Sequence, residues 1–498
     1  MNTTTTPTNP HNGPAPAGEQ AQPATVFITP IRPAIPTTGG TLDVLVRVQA
    51  IAQPAPPPGE GKKAAGRAPL RLALVVDRSG SMDGEPLDEA VRCVEHIASR
   101  LTPRDELAVV LYDDQVQVPL PLSAAGDPAR VRAALDGVRS GGSTDLHAGW
   151  LAGARQLEAG GRLRAAEAGG VAADKTGNGL SRVILLSDGQ ANAGLLDAAR
   201  IEQQCAHWLE HGVSTTTVGL GRGFNEELML AMARAGGGQQ YYGQTAADLV
   251  DGFDEELALL EAMVLRRLRL NVVAGPGVLV EALGQVQRQG DGRFVLSDLA
   301  QAAESWLMLR LHVGGLTSND PAKAVGGAHD DTHRALVSVT LQAEDMAGAS
   351  VTLHSPVLSV PVLDASACKD LPPDPVVAQR LQELQFGDAA TEVRALLLGG
   401  DLLGAKRKLK LMESAVADHP WLRDKLVRLR ELTERDAALS AKELRYSGRR
   451  MSSRLASTAQ FEYSVCESQS EDIPAYLRRK GAEGQGRGRG GGKTGATP

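Results

Sequence analysis

Leu70 to Val76 is an unbroken apolar run apart from one arginine, and it ends directly on Asp77. Such a run, without alternation, suits a strand covered on both faces, the condition of a central strand in a parallel sheet. Parallel strands need crossover connections, usually helices, and the following sequence supplies them. Leu87, Ala90, Val91, Val94, Ile97, Ala98 and Leu101 line one face of a helix over Pro86 to Leu101. Leu107 to Tyr112 and Val116 to Leu122 read as a hairpin through Asp113-Asp114-Gln115, and Asp127-Pro128 opens another helix. Leu146 to Leu157 is helical, with a Gly/Ala-rich insertion expected from Ala159 to Gly179. Strands follow at Val183 to Leu186, Val213 to Val218 and Gln239 to Tyr242, separated by helices over Leu196 to Leu209 and from an Asn225 cap to Ala235. Thr245-Ala246-Ala247-Asp248 is a capping-box pattern for a helix expected to reach Met263. Residues 68–263 therefore predict a doubly wound α/β, Rossmann-like domain.

On either side the periodicity changes to two. Thr25 to Thr29 and Thr41 to Val48 read as strands, and residues 25–53 have no sheet of their own. Leu265 to Val273, Val278 to Ala282, Arg293 to Leu296, Ser305 to His312, Ala335 to Gln342 and Val357 to Val362 are further strands, many of them alternating. They predict an antiparallel β-sandwich over residues 264–364, joined by the two early strands, with the α/β domain inserted between. Residues 374–445 carry helical stripes, with turns expected at Gly387-Asp388 and Gly399-Gly400-Asp401. The remainder reads as disordered ends, 1–24 and 446–498, and a Pro/Gly/Lys linker over 54–67.

The chemistry gathers behind Asp77. In doubly wound sheets, ligands bind outside the carboxyl ends of the strands, and there the chain reads Asp77-Arg78-Ser79-Gly80-Ser81. One carboxylate and two hydroxyls are hard oxygen donors, suited to Mg2+ or Mn2+ and poor for Zn2+. Gly141-Gly142-Ser143-Thr144-Asp145 precedes one helix, and Ser187-Asp188-Gly189 ends a later strand. These three elements, in this order, resemble the metal-ion-dependent adhesion site of the von Willebrand factor A (VWA) family, over about two-fifths of the chain. The resemblance implies that Ser79 and Ser81 bind the metal directly, Thr144 directly or through water, and Asp77 and Asp188 through water. Ser143 is the alternative to Thr144. It also implies a non-enzymatic module binding Mg2+, or Mn2+, with the last coordination position filled by an acidic residue of a protein partner. A second implication, drawn from chelatase-type and MoxR-associated relatives, is an accessory subunit of an AAA+ ATPase machine. The flanking pattern is similar to bacterial multidomain A-domain proteins and to inter-alpha-trypsin-inhibitor-like architectures.

Composition and failed motifs limit the other functions. With 4 Trp, 6 Tyr and 6 Phe in 498 residues and a net charge of -7, the chain is a poor nucleic-acid binder. The last stretch, from Lys442 onward, is locally basic, with 11 Lys/Arg against 6 Asp/Glu. It reads as a flexible solubilising end. No run reaches the roughly 18 apolar residues of a membrane span. Four cysteines without paired spacing read as reduced thiols, which predicts a cytoplasmic protein. Gly80-Ser81-Met82-Asp83-Gly84 is not a nucleophile elbow. His207-Trp208-Leu209-Glu210-His211 is not HExxH, and Gly492-Lys493-Thr494 lacks the first glycine of a P-loop. His147, beside Thr144, is read as an early-helix residue at the border of the site.

Overall fold

A computed structural model describes residues 22–51, 69–167, 180–220, 224–243, 246–284, 286–301, 303–315, 333–346, 348–416 and 420–435, with 437, 440–441, 444 and 455–457. In chain order, the first elements are strands β1 (Ala24–Pro30), β2 (Ile35–Pro36), β3 (Gly40–Ala50) and β4 (Leu70–Asp77), then helix α1 (Glu85–Arg100). Next come β5 (Glu106–Tyr112), β6 (Val116–Ala124), α2 (Pro128–Leu135), α3 (Leu146–Glu167), β7 (Leu180–Ser187), α4 (Ala198–Glu210), β8 (Val213–Leu220), α5 (Glu226–Ala235), β9 (Gly237–Gly243) and α6 (Ala246–Glu261). The later strands are β10 (Met263–Ala274), β11 (Val278–Ala282), β12 (Phe294–Val295), β13 (Leu299–Ala300), β14 (Ala303–Val313), β15 (His333–Asp345), β16 (Ser350–His354) and β17 (Leu358–Leu363). The chain then runs through α7 (Ala365–Asp370), α8 (Pro375–Leu398), α9 (Leu402–Ala415), α10 (Pro420–Arg435) and β18 (Leu455–Ser457).

The α/β sheet has the order β6-β5-β4-β7-β8-β9, parallel except for the β5–β6 hairpin. Every residue of β4 is buried, and the strand's period of two divides its side chains between two cores. Leu70, Leu72, Leu74 and Val76 pack with α1 and α6, through Leu87, Val94, Phe253 and Leu260. Ala73 and Val75 pack with α3, α4 and α5, through Trp150, Ile201 and Met229. At roughly 1.5–3 kcal/mol for each large buried apolar side chain, this two-sided cover explains why the central strand tolerates so few polar residues. Helix α3 lies close to the sheet because Gly149 and Gly153 face it. A Cβ on Gly149 would come 2.3 Å from Cγ of Tyr112, and one on Gly153 2.5 Å from Val75.

The remaining strands form two facing antiparallel-rich sheets. One runs β1-β3-β14-β11, and the other runs β12-β10-β15-β17-β2 with β13 and β16 as side additions. The early strands thus enter the later sheet, with Val46 of β3 opposite Leu307 of β14, while β2 pairs parallel with β17. The α/β domain stands between β3 and β10 in sequence, as an insertion in the sandwich. β2 and β13, at two residues each, are too short to show a period, whereas β16 alternates Val351 and Leu353 with polar residues and was missed by the sequence reading.

Helix α8 docks on the sandwich through the buried Arg380. Its guanidinium pairs with Glu304 of β14 at 2.7 Å and with Glu383 at 3.0 Å, and lies over the Trp306 ring. Three expectations are corrected. Gly387-Asp388 is not a turn: α8 passes through it, because Phe386 and Ala390 are core residues whose packing outweighs the ~1 kcal/mol helical penalty of one glycine. Helix α3 continues to Glu167, into the stretch read as an insertion. Helix α6 stops at Glu261, since Met263 already pairs with Ala300 as a strand residue. The Gly399-Gly400-Asp401 turn is present, with the Asp401 carboxylate accepting the Gly404 N–H at 2.7 Å. The 54–67 linker, Thr245 and most of both tails lie outside the described residues, while Leu455–Ser457 pairs with β14.

Candidate metal centre

Chain connectivity reverses at β4. The chain moves from β4 to β5 on one side, then returns to place β7 on the other, so the loops leaving β4 and β7 open a crevice. Asp77 ends β4 beside Tyr112 of β5, and Asp188 directly follows β7. Both carboxylates are buried, Asp77 completely and Asp188 to 6% exposure.

Local hydrogen bonds shape each loop. The Ser79 N–H donates to Asp77 Oδ1 at 2.9 Å, turning the chain into the single 3-10 turn Gly80–Met82. This brings the Ser79 and Ser81 hydroxyl oxygens within 3.2 Å of each other. Ser79 is buried and Ser81 exposed. The second loop is stitched to the first: Gly80 N–H donates to Gly142 O at 3.2 Å and Gly141 N–H to Arg78 O at 2.9 Å. Gly142 sits at φ +71°, a conformation that strains any residue with a side chain, and a Cβ there would also have to displace the Asp114 carboxylate, 2.7 Å away.

The third loop closes the crevice. Asn192 Oδ1 accepts the Thr144 N–H at 2.7 Å, and Thr144 O accepts N–H groups of Asn192 at 3.1 Å and Ala193 at 3.2 Å. Thr144 is buried and the alternative donor Ser143 exposed. Asp188 is held by the Gln190 N–H on Oδ1 at 3.0 Å and by the Asn225 N–H on its carbonyl at 2.7 Å. Asn225 also caps α5, so the helix start and the loop are one rigid piece.

The electrostatics are acceptor-rich. Burial pushes the Asp77 carboxyl above the usual aspartate range. Hydrogen bonds from Ser187 and Ser79 oppose this rise, and repulsion from Asp188 adds to it. Burial likewise raises the Tyr112 phenol well above its ordinary value. Arg78, within the loop itself, is turned to Asp113 at 2.8 Å. Among the described residues, neither Asp77 nor Asp188 has an ion pair with Lys, Arg or His. Two carboxylates and three hydroxyls fit a hard dication, which would relieve the repulsion between the two aspartates. No group of three or more His, Cys, Asp or Glu side chains among the described residues could hold a metal, so the capacity here depends on the hydroxyls.

The sequence reading missed Tyr112, Ser187 and Asn192 as site residues. Tyr112 was legible only as the polar end of a strand. His147 bonds Gln204 of α4 at 2.8 Å through Nε2. His211 is exposed and uses Nδ1 on His207 O at 2.8 Å, so this pair sits on a helix surface.

Residues 72–255 match the family model of the von Willebrand factor type A domain. An uncharacterized protein of Escherichia coli strain K12, YfbK, is 27% identical over 222 residues, covering 44% of this chain and 36% of the relative. The chain thus spans well under two-thirds of that relative's length. Among solved structures, a von Willebrand factor type A protein from Catenulispora acidiphila superposes with a TM-score of 0.64 at 16% identity, covering 86% of this chain and 98% of the other. The ArnB paralog VWA2 from Sulfolobus acidocaldarius gives 0.56 at 15% identity, covering 86% and 99%. These likenesses reach beyond the α/β domain and establish the fold. Among the described residues, no helix is long and apolar enough to cross a membrane.

Proposed function

With residues 72–255 forming a von Willebrand factor type A domain, we propose that the chain is a non-enzymatic protein-interaction module that acts through a bound divalent cation. Asp77, Ser79, Ser81, Thr144 and Asp188 would hold the ion, with Mg2+ first and Mn2+ as the alternative. The ion, when bound, supplies a Lewis-acid seat for an acidic side chain of a protein partner. The observation supporting this reading is the approach of the buried Asp77 and Asp188 at the reversal of strand order, beside the Ser79 and Ser81 hydroxyls and a Thr144 loop hydrogen-bonded to theirs, with no basic side chain among the described residues paired to either aspartate. The residues do the positioning. Ser79 N–H fixes the Asp77 carboxylate, and the Asn192 clasp fixes Thr144. Asn225 fixes the third loop. A carboxylate arriving at such a centre gains a directional, charge-assisted contact.

The cysteine pattern supports a cytoplasmic setting. The test is a pull-down from cytoplasmic extract with full-length chain, comparing wild type, Asp77→Ala, and wild type in EDTA. Capture that needs both Mg2+ and Asp77 is the expected result. Capture that persists in EDTA would remove the metal from the reading, and an AAA+ ATPase among the captured proteins would select the accessory-subunit form.

A further inference from the structure

Helix α9 buries one face, through Ala405, Leu409 and Met412, in the helical core. Its opposite face is not the polar surface that a solvated helix side normally presents. Leu403 and Leu411 are 74% and 70% exposed there, and Leu398, at the end of α8, is 62% exposed. Residues three and four apart share a helix face, so Leu403, Arg407, Lys410 and Leu411, all exposed, form one outward stripe.

The cations of α9 divide in two. On its flanks, Lys408 pairs with Glu392 of α8 at 2.5 Å and Lys406 with Glu434 of α10 at 3.9 Å, while Glu413 takes Arg430 of α10. On the stripe, Arg407 and Lys410 have no acidic partner among the described residues. The turn leading into the stripe also has a defined place. Arg394, one turn before Leu398 on α8, reaches Glu227 of α5 at 3.7 Å, and the Asn225 N–H at the start of α5 bonds the Asp188 carbonyl. The α8–α9 turn therefore stands on the α5 side of the candidate metal centre.

We propose that Leu398 and the α9 stripe form a docking surface for a protein segment that carries acidic side chains among apolar ones. Its carboxylates meet Arg407 and Lys410, and its apolar side chains cover the leucines. Two other occupants fit less well. An anionic bilayer cannot avoid Asp401, an exposed carboxylate in the turn between Leu398 and Leu403, whereas a protein segment can arrange its groups around it. A second copy meeting this face across a two-fold axis sets the cationic stripe against itself.

The choice of a protein over a lipid rests in part on the interaction module proposed above, but the surface itself needs no cation. Panning in EDTA therefore lets either reading fail without the other. A library of random displayed peptides is panned against metal-stripped full-length chain. Enriched peptides are then titrated against wild type, Leu403→Ser, Leu411→Ser and the double variant Arg407→Glu/Lys410→Glu. Peptides mixing Asp or Glu with large apolar residues are the expected winners. Each leucine substitution should weaken them by about 10-fold, the scale of one partly covered side chain. Charge reversal should weaken them by at least about 10-fold. The substituted positions are all exposed, so unfolding midpoints should stay with wild type. Peptides without acidic bias, peptides that bind the variants as well as wild type, or no enrichment at all would overturn the proposal. Binding to phosphatidylglycerol vesicles, or dimerisation in sedimentation velocity, that is lost in the charge-reversed variant would also overturn it, reassigning the stripe to lipid or to a second copy.

Discussion

The two ends of β7 both place charge where water does not reach, yet only one end balances it. Near its start, Arg182 is buried and paired with the buried Glu256 of α6, which also accepts the hydroxyls of Thr216 at 2.7 Å and Tyr241 at 2.9 Å. The Arg182 Nε donates to Ser214 Oγ at 2.8 Å, so both partners are well supplied. At the other end Asp188 meets Asp77, with hydroxyl and backbone donors but, among the described residues, no cationic side chain paired to either. Arg182 and Glu256 complete each other and leave nothing for a ligand. The aspartates are oriented but not neutralised, the imbalance that the proposed cation would relieve.

The largest effect should come from breaking the balanced end. Arg182→Met strands the Glu256 carboxylate in the core, and losing one partner of such a pair typically costs about 3–5 kcal/mol. Urea denaturation of the metal-free chain should show a loss of that size. A loss below about 1 kcal/mol would mean that Glu256 is relieved by water and that the contrast between the ends is weaker than drawn.

The unbalanced end should respond to pH in the opposite sense to a salt-bridged aspartate. Desolvation raises the Asp77 pKa in the folded state, so the fold keeps this proton to higher pH than the unfolded chain does. Where the folded state binds more protons, stability falls as pH rises. Metal-free wild type should therefore lose stability relative to Asp77→Asn from the ordinary aspartate range up through the raised value, and the difference should then level off. Chemical unfolding in EDTA at a series of pH values measures this. A difference that moves the other way would show Asp77 to be stabilised as the anion without metal.

The smallest effect belongs to charges at the edge of this contrast. Arg394 of α8 reaches Glu226 and Glu227, on α5 beside the third loop, at 3.9 and 3.7 Å. Long, partly solvated pairs contribute about 0–1 kcal/mol, so Arg394→Ala should barely change the unfolding midpoint. A loss above 2 kcal/mol would instead make this contact part of the buried framework.

Much of this was legible in local pattern. The apolar run into Asp77 announced a strand covered on both faces, and Asp77, Ser79 and Ser81 lie within one strand-to-turn step, so their proximity needs no tertiary information. Asn225, Asp127 and Asp401 start helices through bonds to N–H groups two or three residues away; the first two are the caps expected from the sequence, and Asp401 stands in the expected turn. Gly387 shows the opposite case. Its local preference favours a break, but the packing of Phe386 and Ala390 decides for a continuous helix.

What periodicity could not provide was strand order and register. Tyr112 and Ser187 are distant in sequence from Asp77, and they share its Oδ2 only because β5 and β7 flank β4 with their ends aligned. Asn192 meets Thr144 only after the third loop folds back over the second. The amino-acid sequence alone specifies the proposed oxygen donors, since donor chemistry and short-range turns are local. The tertiary structure decides which neighbours share the Oδ2 of Asp77 and which charges stay unbalanced, because these depend on side chains that only the sheet brings together.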